Sequence, residues 1–110
     1  MSISTLLRRR RKQAEQFFDR EPASRVARGA AFLDEKAPGW EKRINTQILD
    51  VADPAVCVVG QIYGGWERGL RKMELNESPY VFTFNHGFQD PSDTAEWIKL
   101  INKRDLARST

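Results

Sequence analysis

A block dense in glycine and tryptophan, residues 28–70, constrains the fold of this chain more than any other feature. It contains six of the seven glycines and two of the three tryptophans. Glycine lets backbones approach each other closely, and tryptophan fills a large buried volume. We therefore expect the block to form a constrained structural core. It contains no recognisable catalytic or cofactor motif.

Length and composition are those of a small globular protein. The chain has 110 residues, of which 40% are hydrophobic and 30% are charged. These values are typical of one folded domain and exclude extensive disorder. No apolar run approaches the roughly 18 residues of a transmembrane helix, and only Ile3, Leu6 and Leu7 precede the first arginines. We therefore predict a cytoplasmic protein without a transmembrane segment.

Prolines mark the expected starts of helices. Four of them follow an acidic or hydroxyl residue, as in an N-cap followed by proline in the first helical turn. Helix ends are indicated at Pro38-Gly39 and at His86-Gly87. The fold predicted is all-α, a small bundle of about four to five helices. The predicted helical segments are residues 3–18, 22–37, 54–73, 79–86 and 91–106.

Residues 54–73 combine the strongest helical period with the most glycine. The apolar side chains recur three and four positions apart, which predicts one buried stripe on a core helix beginning at Asp53-Pro54. That stripe consists of Val56, Val59, Tyr63, Trp66, Leu70 and Met73.

The four glycines of this segment, Gly60, Gly64, Gly65 and Gly69, each cost about 1 kcal/mol inside a helix. In one interpretation they let neighbouring elements approach closely, with a break at Gly64-Gly65. In the other they expose backbone to a ligand. A phosphate-binding loop is excluded, because no lysine and hydroxyl residue follow the last glycine.

Residues 80–84 are the one segment with strong strand propensity, because three aromatic residues alternate along it. A strand there would need a partner, for which residues 48–51 are available as a minor strand pair. The Ser78-Pro79 start and the His86-Gly87 end favour a short helix instead.

Two features near residue 37 predict structural contacts. Asp34 and Glu35 lie at the end of the second helix, where carboxylates oppose the helix dipole. Either of them pairs with Arg28, Lys42 or Arg43 and fixes the following turn, or a carboxylate is presented to a partner. Trp40 follows Pro-Gly and is expected to fill the core between helices.

The residues available for catalysis or metal binding are few. A lone Cys57 and a lone His86 cannot form a zinc site of the Cys/His type. Cys57 lies among valines, which predicts a buried and unreactive thiol. His86 precedes a glycine, where it is expected to hydrogen-bond helix-end carbonyls. We predict no catalytic residues, no metal and no cofactor, although a small enzyme of unknown chemistry remains an alternative.

Positive charge is concentrated at the N-terminus. The net charge is +3 overall, but it is +5 in residues 1–30, zero in residues 31–72 and −2 in residues 73–110. We divide the chain into residues 1–21, a basic amphipathic N-terminal helix or arm, and residues 22–110, a single helical domain. The candidate partner-binding or anion-binding residues are Arg8, Arg9, Arg10, Arg11, Lys12, Phe17 and Phe18.

Three interpretations of this basic segment remain open. It docks on a partner protein through its phenylalanines, it binds nucleic acid, or it is a solvated arm that Phe17 and Phe18 hold against the core. A partner protein ranks ahead of nucleic acid, because the aromatic side chains do not interleave with the cations as in single-strand binders. The oligomeric state is not indicated by the sequence.

The central block also resembles a small family of actinobacterial and actinophage proteins. The resemblance covers about half of the chain, excludes residues 1–21 and 76–85, and departs from the family at Gln89, where similar proteins tend to have aspartate. It implies a phage or actinobacterial source and an accessory or host-interaction role, without a particular activity. The residues that carry it are Arg28-Gly29-Ala30-Ala31, Leu33-Asp34-Glu35, Pro38-Gly39-Trp40, Leu49-Asp50, Cys57-Val58-Val59-Gly60-Gln61, Gly64, His86-Gly87-Phe88 and Trp97.

These observations predict a small, non-enzymatic accessory protein that binds a partner protein. A nucleic-acid-binding accessory protein that uses the basic N-terminal segment is the alternative.

Overall fold

Five α-helices make up most of the structure, a computed structural model in which residues 18–74 and 79–109 are described. No strand occurs in these two ranges, so the predicted all-α fold is confirmed and the minor strand pair is absent. Residues 80–84 are helical. The helices are α1 (Pro22–Lys36), α2 (Val58–Tyr63), α3 (Trp66–Lys72), α4 (Pro79–Asn85) and α5 (Thr94–Ser109), with short 3₁₀ helices at Trp40–Arg43 and Pro91–Asp93.

The core is built where α1 crosses α4 and α5. Val26, Ala30 and Leu33 form the buried face of α1. Trp40 and Trp97 are both fully buried and meet edge to face, with ring centroids 5.6 Å apart. The expectation that Trp40 fills the core is therefore confirmed. The pair α2–α3 packs mainly on itself and extends this core through Val58, Val59 and Ile62.

Local signals at helix ends act as predicted in this part of the fold. Pro22 occupies the first turn of α1 after an extended Glu21. Asp90 precedes Pro91, and its carboxylate accepts a hydrogen bond from the Ser92 N–H at 2.9 Å. Gly39 and Gly87 adopt left-handed backbone angles, with φ of +80° and +75°, and end the preceding segments.

The prediction of one helix over residues 54–73 is wrong. Asp53 starts a turn and not a helix, because its carboxylate accepts the Ala55 N–H at 2.9 Å. The Pro54 carbonyl accepts the Trp66 N–H at 3.1 Å, so it is not used in a continuing helix. Cys57 is extended, and α2 begins after it at Val58. A contact between residues twelve positions apart has replaced a helical hydrogen bond.

The four glycines of this region divide between two roles. A side chain on Gly60 would place its Cβ 2.4 Å from the Pro54 carbonyl oxygen, and one on Gly69 would come 2.1 Å from Val59. These two glycines therefore permit close approach, as the first interpretation predicts. Gly64 and Gly65 have φ of +85° and +151° and separate α2 from α3, so the expected break is confirmed.

The predicted buried stripe is confirmed only in part. Val59 and Met73 are buried, whereas Val56, Tyr63, Trp66 and Leu70 are half-buried. The break at Gly64-Gly65 changes the direction of the chain between the two halves of the stripe.

Candidate functional site

Most of the predicted binding residues lie outside the described ranges. This applies to Arg8, Arg9, Arg10, Arg11, Lys12 and Phe17, and to all of the predicted helix over residues 3–18 except its last residue. Phe18 is described, lies in a bend and remains 40% exposed. Its ring meets Phe84 edge-on at 5.4 Å and Tyr80 at 6.2 Å between centroids. We call Phe18, Tyr80 and Phe84 the aromatic patch.

The aromatic patch is formed on one face of α4. Tyr80 and Phe84 are four positions apart, so their rings lie on the same side of the helix and stack at 6.4 Å. Tyr80 is 54% exposed, and Phe84 is half-buried with the Arg25 guanidinium 4.7 Å from its ring centroid. The patch thus has two exposed rings above a third ring that rests on a buried cation.

A hydrogen-bond network around Asp19 fixes the chain directly after Phe18. The Asp19 N–H donates to the Asn85 side-chain oxygen at 2.7 Å. The Asp19 carboxylate accepts a hydrogen bond from the Ser24 hydroxyl and pairs with Arg28 at 3.2 Å. The Ser24 hydrogen bond is the main reason why the pKa of Asp19 is lowered from its ordinary value. This network joins the end of the basic segment to α1 and α4.

Beneath the patch lies a buried ion pair that the sequence analysis did not identify. Arg25 Nε donates to the Asp93 carboxylate at 2.8 Å, and the second guanidinium nitrogen contacts the other carboxylate oxygen. Arg25 is 3% exposed and Asp93 is fully buried. The available signal was an arginine on the apolar face of α1, in line with Gly29 and Leu33.

Asp34 has a structural role, but with a different partner from the predicted ones. Its carboxylate accepts hydrogen bonds from the Trp40 indole N–H at 3.0 Å and from Arg104 at 2.8 Å. Arg104 also bridges to Glu41 at 2.7 Å. The predicted pairing with Arg28, Lys42 or Arg43 is therefore wrong. Arg104 lies 70 positions away in the chain, on α5.

Cys57 and His86 both have structural partners. The Cys57 sulfur accepts the Gly60 N–H at 3.2 Å, and burial raises the pKa of the thiol. His86 Nδ1 donates to the Phe82 carbonyl at 2.7 Å, and burial lowers the pKa of the imidazole. The Cys57 side chain is buried as predicted, and the expected contact of His86 with a helix-end carbonyl is confirmed.

Trp66 lines two surface depressions. A small one of about 160 Å³ is lined by Cys57, Phe88 and Gln89 as well as by Trp66. A wider one of about 760 Å³ lies where α2 meets α3 and includes Arg68 and Arg71. Within the described ranges, no three His, Cys, Asp or Glu side chains are grouped so as to hold a metal ion.

Comparisons of this chain with protein-family models, with curated proteins and with solved structures found no match. Among the helices of residues 18–74 and 79–109, none has both the length and the apolar character needed to cross a membrane.

Proposed function

We propose that this chain is a small accessory protein that binds a partner protein through the aromatic patch and through the cations at residues 8–12 of the basic segment, residues 1–21. The observation that carries this proposal is the exposure of Phe18 and Tyr80, which lie side by side on the surface. Grouped exposed apolar side chains are typical of interaction surfaces, and tyrosine and other aromatic residues are enriched there.

The patch is held in place before any partner binds. The Asp19 network fixes the backbone next to Phe18, and Phe84 supports both exposed rings from below. An ordered surface loses little conformational entropy on association, which favours affinity. The same network therefore supports a binding role for Phe18 as well as the attachment of the basic segment to the domain.

Charge indicates the chemistry of the partner. Lys12 is six residues before Phe18, so the cationic segment begins within about 20 Å of the patch whatever its conformation. A complementary partner surface has an apolar pocket beside acidic side chains. An accessory protein from a phage or an actinobacterium, the source that the resemblance implies, fits this role.

A comparison of variants in a pull-down from the native host tests the proposal. Tyr80→Ala and Phe18→Ala should each weaken capture of a nuclease-resistant partner about thirtyfold, because buried aromatic anchors dominate such interfaces. Leu106→Ala and Ile48→Ala remove exposed apolar side chains outside the patch and serve as controls. Equal capture by all four variants would show that the patch is not the interface.

Nucleic acid is the second candidate partner, since the net charge of residues 1–30 is +5. If Arg8, Arg9, Arg10, Arg11 and Lys12 all contact phosphate, the log–log salt slope on duplex DNA should be about −4 to −5. Replacing Arg9 and Arg10 by alanine should then flatten the slope by about 2. Tight duplex binding of this kind, lost on deletion of residues 1–12 and without a nuclease-resistant partner, would favour this candidate over the first.

A further inference from the structure

The depression between α2 and α3 has the chemistry of a ligand pocket. Its volume of about 760 Å³ lies within the range of about 300–1,000 Å³ that small-molecule sites occupy. Its wall includes Gly64, Gly65, Trp66, Glu67, Arg68 and Arg71. We call it the α2–α3 pocket. It does not include any residue of the aromatic patch.

The two arginines of the pocket differ from most arginines of the other helices. Arg25, Arg28, Arg104 and Arg108 each contact a carboxylate within 4 Å. In the described part of the chain, Arg68 and Arg71 contact no carboxylate within that distance.

Arg68 and Arg71 are three positions apart, so they share one face of α3. Two guanidinium groups on one face can bind the same phosphate through paired N–H donors. The long, flexible Arg68 side chain reaches back over the chain break, because its Nη1 lies 3.6 Å from the position of a Cβ on Gly64. The wall of the pocket therefore includes two cationic residues and one acidic residue, Glu67.

Trp66 supplies an apolar wall next to these cations. Trp66 is half-buried, whereas Trp40 and Trp97 are fully buried, and it is one of the residues that line the α2–α3 pocket. Indole rings stack on planar bases, and such stacking contributes to the binding of nucleic acid without requiring a particular base. Gly64 and Gly65 add no side chain beside it, so a ligand can approach the backbone closely.

We infer that the α2–α3 pocket binds a nucleotide, with the phosphate on Arg68 and Arg71 and the base against Trp66. The ligand is a free mononucleotide or one unit of a single-stranded nucleic acid, since both present the same base and phosphate. The residues that line this site are not those of the aromatic patch. In the second interpretation of the glycines, they expose backbone to a ligand. This site assigns that role to Gly64 and Gly65.

Glu67 provides an internal check on this assignment. Its carboxylate lies in the wall of the same pocket, where it repels an anion and lowers the net positive charge. Glu67→Gln should therefore strengthen nucleotide binding, while Arg68→Gln and Arg71→Gln should weaken it. All three side chains are exposed, so none of these changes should disturb the fold. A general loss of structure would weaken binding in every variant and would not strengthen it in Glu67→Gln.

Titration of the full chain with AMP, followed by tryptophan fluorescence and amide NMR shifts, tests the site. AMP should quench Trp66, and Trp66→Phe should abolish the quenching because the other two indoles are buried. The double variant Arg68→Gln/Arg71→Gln should bind AMP at least about tenfold more weakly. Lys99→Gln/Lys103→Gln, a matched change of two exposed cations on α5, should bind AMP as the unchanged chain does.

Three further ligands separate the contribution of the base from that of the phosphate and distinguish a free nucleotide from a single-stranded polymer. Adenosine and inorganic phosphate should each bind more weakly than AMP. A single-stranded adenine oligonucleotide that binds more tightly than AMP, at the same residues, would identify the polymer as the ligand. Arg9→Ala/Arg10→Ala should leave the response of Trp66 to AMP unchanged, which separates this site from the basic segment.

The inference fails if AMP neither quenches Trp66 nor shifts the amides of residues 64–71. It fails equally if the Arg68/Arg71 and Lys99/Lys103 variants bind AMP alike, or if adenosine binds as tightly as AMP.

Discussion

The two halves of this small fold differ in how they use arginine and glycine. Around α1, α4 and α5, arginines are paired with carboxylates and the two buried tryptophans pack against each other. The helices α2 and α3 have only six and seven residues. Residues 60–69 include four glycines, and two arginines of α3 line a pocket. The first half is stabilised by specific long-range contacts, whereas the second leaves backbone and charge accessible.

The difference follows from the length of the helices. A helix of 15 or 16 residues offers several turns to a neighbour, so α1 and α5 can bury a continuous face. A helix of six or seven residues buries little, and α2 and α3 depend on close approach at Gly60 and Gly69. Surfaces that bind ligands are commonly less stable than the scaffold that supports them.

The largest expected effect is on the ion pair that supports the first half. Asp93→Asn should lower the free energy of unfolding by about 3–5 kcal/mol, because it leaves the Arg25 charge buried without its counter-charge. Chemical denaturation followed by circular dichroism measures this change. Asp90→Asn is the control, since Asp90 lies 3.8 Å from Arg25 and is partly exposed, and it should cost at most about 1 kcal/mol.

Glycine-to-alanine changes compare close packing in the two halves. In Gly29→Ala the new Cβ would lie 1.9 Å from the His86 carbonyl oxygen, which belongs to the backbone and cannot rotate away. We expect a loss of about 3 kcal/mol or more in the free energy of unfolding. Gly69→Ala meets the Val59 side chain instead and should cost about 1–2 kcal/mol. If the order is reversed, the α2–α3 half is the more tightly packed one.

Thiol labelling of Cys57 shows whether the α2–α3 half opens separately. The thiol is buried and its pKa is raised, so a thiol reagent should react at least about a hundredfold more slowly with folded than with denatured protein. If Cys57 becomes accessible by local opening of the α2–α3 half, Asp93→Asn should accelerate global unfolding more than it accelerates labelling of Cys57. Rapid labelling of the unchanged folded protein would contradict the buried thiol and revive a nucleophilic role for Cys57.

The smallest effect concerns the pH dependence of stability near neutrality. Burial lowers the pKa of His86 from its ordinary value of 6.5, so the unfolded chain binds this proton more readily than the folded protein. The contribution of His86 to the free energy of unfolding is therefore fully present above about pH 6.5. It is lost as the pH falls through the folded pKa of His86. His86→Leu should reduce the slope of the free energy of unfolding against pH just below pH 6.5, the ordinary pKa of the imidazole.

Carboxylates add a second decline at lower pH, which separates them from His86. Hydrogen bonds lower the pKa of Asp19 and Asp34 from 3.8. Arg104 and Arg108 lower the pKa of Glu41 from 4.5 against the opposing effect of burial. Their contribution is present above those ordinary values and is lost as the pH falls further. An unchanged slope just below pH 6.5 in His86→Leu would show that His86 does not contribute to the pH dependence of stability there.

Local sequence signals account for the parts of the fold that were predicted correctly. Glu21-Pro22 and Pro38-Gly39 delimit α1, and Pro79 and Gly87 delimit α4. These signals act within a few residues, because they depend on backbone angles and on hydrogen bonds at helix ends. The same kind of signal misplaced the start of α2, since Asp53 can cap a turn as well as a helix.

The candidate sites were predicted less completely than the fold. Phe18 was identified from the sequence, but Tyr80 and Phe84 were assigned only to a helix, and their contact with Phe18 joins residues more than sixty positions apart. Arg68 and Arg71 lay within residues 54–73, which were predicted to form one core helix. In the described ranges they contact no carboxylate within 4 Å, and this is visible only in the tertiary structure.

The sequence by itself determined the all-α class, the ends of α1 and α4, and the burial of Trp40 and Cys57, because periodicity, proline and glycine act locally. Only the tertiary structure decided that Arg25 pairs with Asp93 and that Arg104 pairs with Asp34. It also decided that the Trp66 N–H takes the carbonyl of Pro54. Each of these contacts joins residues that meet only after the helices have packed, and no spacing along the chain specifies which charge or carbonyl will be nearest.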